Sequence, residues 1–470
     1  MSAAKAKGAG VHGSRRSRPG PLAGLPKPLR DEVGRLGSAD IMVGIPSYRN
    51  AATIGHVVRA AHAGLVQYFP DLRPVLVNAD AGSLDGTQRV VVETESPDYI
   101  ASILLVRPRN RLRRISLTYP EVDGVGGKGA ALRTLFQIAK ALKVQALVVV
   151  DSDLRSIGPE WIELLAGPIL KGGFDYTTPL YSRHKFDGTI TNTVTYPLTR
   201  ALYGLRIRQP IGGDFGVSGD LIDYYLAQDD WTPDVSKFGI DIWMTTTAVA
   251  GGFAVCQARL GAKVHDPKDP GADLGPMFSQ VVGTALRLTD RHDDRWLRVT
   301  GSRDIPAYGF ERIVDPLPLD VDVGRLLRAF AAGQSDHEAA WAEIGVLAGP
   351  DQLHALAAEA DAAARRLADL EAARPAPAPA GPPEPAAVGF EFPDETWARV
   401  VYGSLLAHHQ RRLDDERLIE ALVPLYFGRV ASHVLETGPL DDDEAEAVVE
   451  RQARAYEALK AEFVAAWTAT

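Results

Sequence analysis

The sequence predicts an α/β fold that has a mostly parallel sheet and a helical C-terminal extension. Short β-branched runs alternate with helix-like stretches from Ala39 to about Asp269, and after about residue 320 the composition turns helical and Ala-rich. Continuous apolar runs separated by helices are typical of a parallel sheet covered on both faces. A chain of 470 residues, 46% of them hydrophobic, is long enough for a large domain and a smaller unit.

Four apolar runs are predicted as strands, and the stretches that follow them as helices. The predicted strands are 41–45, 75–77, 103–106 and 146–150. The predicted helices have the length and spacing of amphipathic segments and are 53–68, 129–142, 355–373, 397–426 and 441–467.

The chain divides by composition into five segments. They are a disordered basic tail (1–35), a catalytic domain (36–320), a helical region (321–373), a Pro/Ala-rich linker (374–388) and a C-terminal helical extension (389–470). The first 30 residues hold seven Lys and Arg, no acidic residue and few apolar residues, which favours disorder over a targeting role. The C-terminal helices are expected to pack on the main domain or to form a subunit interface, as in a homodimer or a larger homo-oligomer.

Composition excludes several classes of protein. With 51 Lys and Arg against 60 Asp and Glu, the formal charge of −9 argues against nucleic-acid binding. The single Cys256 excludes an internal disulfide framework and a Cys-based zinc site. No apolar run approaches the roughly 18 residues of a membrane span, so we expect no integral membrane segment and a cytoplasmic location.

Two carboxylates follow the predicted strand 146–150. Asp151 and Asp153, separated by Ser152, lie where ligands collect in open α/β sheets, at the carboxyl end of a strand. Such close acids stay ionised most easily with a cation between them and a ligand, and Mg²⁺ or Mn²⁺ shared with a diphosphate suits oxygen ligands. In the alternative interpretation, Asp153 only caps the helix that follows.

Other strand ends offer groups for a nucleotide. The loop at 46–50 can cradle a base and ribose, and Asp80 lies at the tip of the second strand. In the Gly-rich loop 124–129, glycines let the backbone approach an anion, the following helix N-terminus attracts it, and Lys128 adds a charge. This loop lacks the spacing of a Walker motif, and a plain turn is the alternative.

Three further groups lie downstream. Asp214 sits in a glycine-dense stretch beside Gly213, and Asp241 stands at a probable helix start. His265 ends a strand-like run, where it either completes a metal site or belongs to a surface turn.

The order of these motifs resembles that of nucleotide-sugar-dependent glycosyltransferases of the A-type fold. It is most similar to the retaining glucosyl-3-phosphoglycerate, glucosylglycerate and mannosylglycerate synthases, over about residues 39–270. The motifs that carry the resemblance are Pro-Ser-Tyr-Arg-Asn, Asn-Ala-Asp-Ala-Gly-Ser-Leu-Asp-Gly-Thr, Gly-Gly-Lys-Gly-Ala-Ala-Leu, Val-Val-Asp-Ser-Asp-Leu, Gly-Ile-Asp and a terminal His.

The resemblance implies roles for individual residues. The implied nucleotide-sugar-binding residues are Pro46, Ser47, Asn50, Asp80, Lys128, Asp151, Ser152 and Gly213. The implied metal ligands are Asp153 and His265, and the implied catalytic groups are Lys128, Asp214 and Asp241. The implied acceptor-binding residues are Thr193, Thr195 and Asp241.

The resemblance therefore implies a metal-dependent retaining transfer of glucose or mannose from a UDP- or GDP-hexose to glycerate or a similar compatible-solute precursor. The phosphoglycerate-using enzymes have an arginine that reads the acceptor phosphate where this chain has Thr193. A hydroxyl does not replace a bidentate charge-assisted contact, so glycerate is favoured unless Arg183, His184 or Lys185 compensates. The alternatives are a glucosyl-3-phosphoglycerate synthase, an enzyme with a sugar or lipid acceptor, and a non-enzymatic scaffold.

Overall fold

The computed structural model describes residues 20–95, 110–121, 124–264, 274–310, 318–373 and 385–469. Within these residues the strands are β1 (Ile41–Ser47), β2 (Pro74–Asp80), β3 (Arg113–Thr118), β4 (Ala146–Val149), β5 (Tyr176–Ser182), β6 (Phe215–Ser218), β7 (Val255–Ala262) and β8 (Ala307–Tyr308). The α-helices are α1 (Lys27–Leu36), α2 (Ile54–Tyr68), α3 (Thr87–Glu93), α4 (Lys128–Leu142), α5 (Glu160–Gly172), α6 (Tyr196–Tyr203), α7 (Gly219–Ala227), α8 (Ile240–Ala250), α9 (Leu274–Arg291), α10 (Asp293–Trp296), α11 (Val323–Ile344), α12 (Pro350–Ala372), α13 (Pro385–Val388), α14 (Asp394–His409), α15 (Asp415–Thr437) and α16 (Asp442–Thr468). A π-helix, Thr191–Thr195, directly precedes α6.

The strands of the described residues form one mixed sheet in the order β3-β2-β1-β4-β6-β5-β7-β8. Of the described strands, only β6 runs antiparallel to its neighbours, which are β4 and β5. The prediction of a mostly parallel α/β sheet with a helical C-terminal region is confirmed. Because β6 is reversed, its first residue lies at the carboxyl end of β4, so the residue before β6 reaches the same edge as the residues after β4.

The predicted central strands are present, and their side chains alternate between two cores. On β1, Ile41, Val43 and Ile45 join α2 and α5 in one core, while Met42 joins α4 in the other. Burial on both faces is the reason that β1 appears in the sequence as a continuous apolar run. The predicted strand 103–106 lies outside the described residues.

The sequence reasoning missed β3 (Arg113–Thr118). This strand pairs with β2 alone among the described strands and alternates buried with more exposed positions, so only Ile115 and Leu117 are apolar and buried. A half-exposed strand with two apolar residues leaves a weak periodic signal.

The predicted disordered tail is wrong over its last residues. Residues 27–36 form α1, which buries Leu29 and Val33 against the core that contains α4. These two residues lie four apart and so share one face of a helix, and Pro28 occupies the first turn, where a missing N–H costs nothing. Residues 1–19 lie outside the described part.

The C-terminal helices form one apolar core with parts of the first half of the chain. This cluster runs from Phe186 to Trp467 and includes residues of α6, α9, α11, α14, α15 and α16. The predicted helix 397–426 is two helices, because Arg411 adopts a left-handed conformation and Asp414 caps the start of α15. Of the predicted linker, 374–384 lies outside the described residues and 385–388 is helical.

One helix of the described residues, α15, is long and apolar enough by length and composition to cross a membrane. Its most apolar window has a mean hydropathy of 1.3, and 72% of that window is buried inside the protein. That burial is typical of a core helix.

Candidate active site

A cavity of about 970 Å³ opens at the carboxyl ends of β1 and β4. Its wall contains nine of the residues proposed from the sequence, namely Pro46, Ser47, Asn50, Lys128, Asp151, Ser152, Asp153, Gly213 and Asp241. Parallel strands whose ends meet at one edge bring these distant segments together. The loops after β1 and β4 are also joined directly, because Ser152 Oγ donates to Asn50 Oδ1 at 2.8 Å.

Two of the proposed residues, Asp80 and Asp214, lie completely buried behind this wall. Asp80 accepts hydrogen bonds from the hydroxyls of Ser47 (2.8 Å) and Ser83 (2.7 Å) and from Gln88 Nε2 (3.0 Å). Burial raises the pKa of Asp80, but hydrogen bonds from Ser83, Gln88 and Ser47 outweigh it and hold the pKa below its ordinary value. Asp80 therefore positions Ser47, which lines the cavity.

Five charged groups form a network at the floor of the cavity. Lys128 Nζ lies 3.0 Å from Asp151 Oδ1 and 3.3 Å from Asp241 Oδ2. Lys263 Nζ lies 2.8 Å from Asp151 Oδ2 and 2.9 Å from Asp214 Oδ2. Asp214 reaches this network because it directly precedes the reversed strand β6, and its Oδ1 accepts from the amide of Asp151 at 2.8 Å.

The sequence reasoning missed Lys263. It follows β7 directly and is 5% exposed, and its only available signal was a lone lysine at the end of a strand-like run. Its role depends on partners 49 and 112 residues away along the chain, which no local pattern indicates.

The network sets the protonation states of its members. Burial opposes the charge on Asp151, but Lys128 and Lys263 hold its pKa well below the ordinary value. Burial likewise opposes the charge on Lys128, but Asp151, Asp241 and Asp214 raise its pKa. Burial raises the pKa of Asp241, with Lys128 opposing. Asp151 is therefore an anion held between two cations, and Asp241 is the more readily protonated carboxyl group.

The prediction that the backbone of the Gly-rich loop before α4 approaches an anion is wrong. The amide of Gly127 donates to the Tyr119 hydroxyl (3.1 Å), and that of Gly129 donates to the Lys237 carbonyl (3.1 Å). A Cβ on Gly129 would collide with the carbonyl oxygen of Val235. These glycines admit a neighbouring segment of the chain, and the Lys128 side chain is what reaches the cavity.

Gly213 is required by the same network. Its φ of +93° lies in the region that L side chains rarely adopt, and a Cβ there would collide with Asp151 Oδ2 and crowd Lys263 Nζ at 2.9 Å.

The predicted acceptor contacts of Thr193 and Thr195 are wrong. Both residues are completely buried, and neither lines the cavity. The Thr193 hydroxyl donates to the Thr189 carbonyl (2.7 Å), and its own carbonyl accepts from Trp397 Nε1 (2.7 Å) and the Tyr456 hydroxyl (3.0 Å). The π-helix thus places the Thr193 carbonyl against α14 and α16.

Thr189 and Thr191 of the same segment line the cavity, as do Arg183 and His184. An apolar wall faces them, to which the second half of the chain contributes Met277, Val281 and Leu319.

The proposed metal ligands are only partly described. Asp153 lines the cavity, whereas His265 lies outside the described residues; its neighbour Val264 is on the cavity wall. Among the residues that the structure describes, there is no group of three or more His, Cys, Asp or Glu with metal-binding geometry. Both oxygens of Asp151 face lysines. The assignment of Asp153 as a metal ligand stays a prediction.

No family model matches the chain. In sequence it is similar to the glucosyl-3-phosphoglycerate synthase of Mycolicibacterium paratuberculosis, at 28% identity over 264 residues, which are 52% of this chain and 71% of that protein. The chain resembles a glucosyl-3-phosphoglycerate synthase. The synthase of Petrotoga mobilis is 23% identical over 266 residues, 54% of this chain and 74% of that synthase.

A solved structure of glucosyl-3-phosphoglycerate synthase from Mycobacterium tuberculosis, in complex with Mn²⁺, UDP and phosphoglyceric acid, is 25% identical. The matched region covers 55% of this chain and 82% of the chain of that synthase, with a TM-score of 0.40. The resemblance predicted from the motifs is confirmed by the synthases found in sequence, and so is the expectation of an enzyme of the nucleotide-sugar-dependent glycosyltransferase class.

Proposed function

We propose that this protein transfers a hexose, preferentially glucose, from a nucleoside-diphosphate sugar to a small acid, either glycerate or 3-phosphoglycerate, in a metal-dependent reaction that retains the anomeric configuration. The observation that carries the proposal is the charged network of Lys128, Asp151, Lys263 and Asp241 beside Asp153 on one cavity wall. Glucose is supported by the names of the two similar synthases, and the retaining outcome is what the motif resemblance implies.

The donor lies along the edge formed by β1 and β4 in this proposal. Ser47 and Asn50 border the base and ribose. Asp80 orients Ser47, and Ser152 orients Asn50. Lys128 lies at the sugar and diphosphate end. A fixed cation in a partly buried site stabilises the negative charge that develops on a leaving diphosphate.

Asp153 would hold the metal, with His265 as the candidate second ligand. A carboxylate and diphosphate oxygens are the donor set that Mg²⁺ and Mn²⁺ prefer, and the bound ion would neutralise charge on the leaving group.

Asp241 lies on the acceptor side. Its Oδ2 faces Lys128, while its Oδ1 is buried and has no hydrogen-bond partner among the described residues. An orphaned carboxylate oxygen is costly unless a ligand satisfies it, and an acceptor hydroxyl supplies the missing donor. With its raised pKa, Asp241 is suited to take the proton as that hydroxyl attacks the sugar.

3-Phosphoglycerate is the second candidate acceptor. The argument against it rested on Thr193, which is buried away from the cavity and therefore says nothing about the acceptor. The two relatives are named for this acceptor, and Arg183 on the cavity wall offers a cation for its phosphate.

The test is an array of UDP-glucose, GDP-glucose and GDP-mannose against glycerate, 3-phosphoglycerate and simple sugars, with Mn²⁺, Mg²⁺ or a chelator, and with the product anomer read by NMR. We expect metal-dependent turnover with an acidic acceptor. Asp153→Asn should lower turnover by about 100-fold or more. Asp369→Asn, which changes an exposed carboxylate on α12, is the matched control.

Each result has a defined consequence. A tenfold preference for 3-phosphoglycerate over glycerate moves the assignment to the second candidate. Full activity of Asp153→Asn removes the metal assignment, and no turnover with any pair rejects the proposal.

A further inference from the structure

A second cavity lies where α16 packs against the first half of the chain. Its volume is about 250 Å³, and its wall is formed by β5, the segment from Arg183 to Asn192, β7 and the first turns of α16. A water molecule occupies about 30 Å³ of liquid, so the space corresponds to roughly eight waters and suits a small molecule.

The wall of this second cavity is rich in cations. It carries Arg183, Lys185, Arg208 and Arg259 from three separate segments of the chain. Its two histidines, His184 and His433, have pKa values lowered by burial and are mainly neutral at pH 7. The cationic character therefore comes from the four long side chains.

Part of this charge is already neutralised. Arg208 makes a bidentate ion pair with Glu446 of α16, at 2.6 and 2.7 Å. Arg183 Nη1 lies 3.4 Å from Asp187 Oδ2. The remaining carboxylate on the wall, Asp442, is an exposed residue in the first turn of α16.

The other two cations, Lys185 and Arg259, have no carboxylate partner among the described residues. Within the described part of the chain, Arg259 has neither an ion pair nor a hydrogen bond from its guanidinium, and it is half-buried on β7. Lys185 Nζ donates to the backbone carbonyls of Gly438 (2.8 Å) and Leu440 (2.6 Å) and faces no described acid.

Two guanidinium nitrogens of the wall residues also lack a partner among the described residues, but they do not face the cavity. Arg183 Nε and Arg208 Nη1 are inaccessible to solvent and have no hydrogen-bond acceptor among the described residues. The Arg259 guanidinium is half-buried on the cavity wall and has no partner among the described residues, so a ligand that supplies acceptor oxygens is favoured here. Guanidinium groups match the geometry of carboxylates and phosphates.

We propose that this second cavity is a binding site for a small organic or inorganic anion bearing a carboxylate or phosphate group. The anion's oxygens accept from the Arg259 guanidinium, and Arg183, Lys185 and Arg208 add positive charge to the same wall. The site is separate from the Asp151 network, but the two cavities share the wall that contains Arg183, His184 and Thr191. Binding in the second cavity therefore restrains one side of the first.

The test is calorimetric titration of the full chain with inorganic phosphate and, separately, with D-glycerate. Arg259→Gln should weaken binding at least tenfold, and Arg259→Lys, which keeps the charge, should recover part of the loss. Arg454→Gln removes an exposed arginine of α16 that is not on the cavity wall, and it should bind within twofold of wild type. The unfolding midpoint of each variant shows that it is folded.

Equal binding by Arg259→Gln and Arg454→Gln would overturn the proposal, as would no binding of either anion by the wild type. Binding that is weakened by Lys128→Met and not by Arg259→Gln would place the anion in the first cavity and also overturn it. Because the titration needs no turnover, its failure is distinct from failure of the proposed transfer reaction.

Kinetics then identify the source of the anion. If the anion belongs to the acceptor, Arg259→Gln raises the KM for the acidic acceptor and leaves kcat unchanged. If it is a separate effector, Arg259→Gln leaves that KM unchanged and abolishes the response of the rate to added phosphate. Either pattern supports the site.

Discussion

Lys263 balances two carboxylates at the floor of the first cavity. It is 5% exposed and pairs with Asp214, which is completely inaccessible to solvent, and with Asp151. Lys263→Met leaves Asp214 without its cation, and removing one partner of a buried ion pair typically costs about 3–5 kcal/mol. We expect a loss of that size in the free energy of unfolding, measured by urea titration.

The double variant Lys263→Met/Asp214→Asn serves as the control. It also removes the Asp214 carboxylate charge, which the single variant leaves without a cation, so it should recover part of the lost stability. A single variant within 1 kcal/mol of wild type would contradict the assigned role of Lys263.

His433 provides a pH-dependent contribution to stability. It is buried on α15, and its Nε2 lies 3.3 Å from the Lys185 carbonyl. Burial, assisted by the charge of Arg429, lowers its pKa from 6.5 to about 4. Between these two values the unfolded chain binds a proton that the folded chain does not, so stability falls as the pH falls from 6.5 to 4.

We therefore expect the wild type to lose about 3 kcal/mol more than His433→Gln over this pH range. The measurement is the free energy of unfolding at several pH values in both proteins, since the carboxylates that also titrate are common to both. Parallel pH profiles would show that His433 is not the group responsible.

At the scale of elements, Lys460 joins α16 to the rest of the molecule. Its ammonium donates to the carbonyls of Leu202 (3.3 Å), Trp296 (3.0 Å) and Val299 (2.7 Å). Lys460→Met leaves these acceptors without their donor, and we expect a loss of about 1–3 kcal/mol at pH 7.

The pH dependence of this effect has a defined sign. Burial lowers the pKa of Lys460 from 10.5 to about 8. The free-energy cost of burying the charged ammonium is therefore fully present below pH 8 and disappears as the pH rises to 10.5. Over that window the wild type should gain stability relative to Lys460→Met, as measured by urea unfolding. A difference that stays constant from pH 7 to 10 would contradict this.

Elements differed in how well the sequence predicted them. The bounds of β1 and α4 were predicted to within about two residues because each has a long apolar pattern and a clear terminus. Strand β3 was missed because it is half-exposed, and α1 was missed because its two buried residues stand in a basic, Pro- and Gly-rich segment.

At the scale of the whole molecule, the C-terminal helices complete the fold of the first half. The shared core from Phe186 to Trp467 encloses the π-helix, and α16 pairs Glu450 and Glu457 with the buried Arg200 of α6. A fragment of residues 1–320 would expose this core. We expect it to lack near-UV dichroism and to bind hydrophobic dyes, whereas the full chain unfolds in one calorimetric transition.

A fragment that unfolds cooperatively and binds UDP would contradict this expectation. It would instead support an independent catalytic domain over 36–320, as composition predicts. The same measurements on a chain that ends at residue 440 isolate the contribution of α16.

The sequence by itself determined the parts of this protein that depend on local pattern. Continuous apolar runs require buried strands, and the ends of such strands carry Asp151, Asp153 and the loop at 46–50, so the edge that binds ligands was predictable. Tertiary structure decided which groups meet there. Lys263 joins the site, Thr193 leaves it, and Gly127 and Gly129 admit a neighbouring segment of the chain. Those outcomes depend on strand direction and on contacts between residues far apart in the chain. The local periodicity of a sequence contains no information about either.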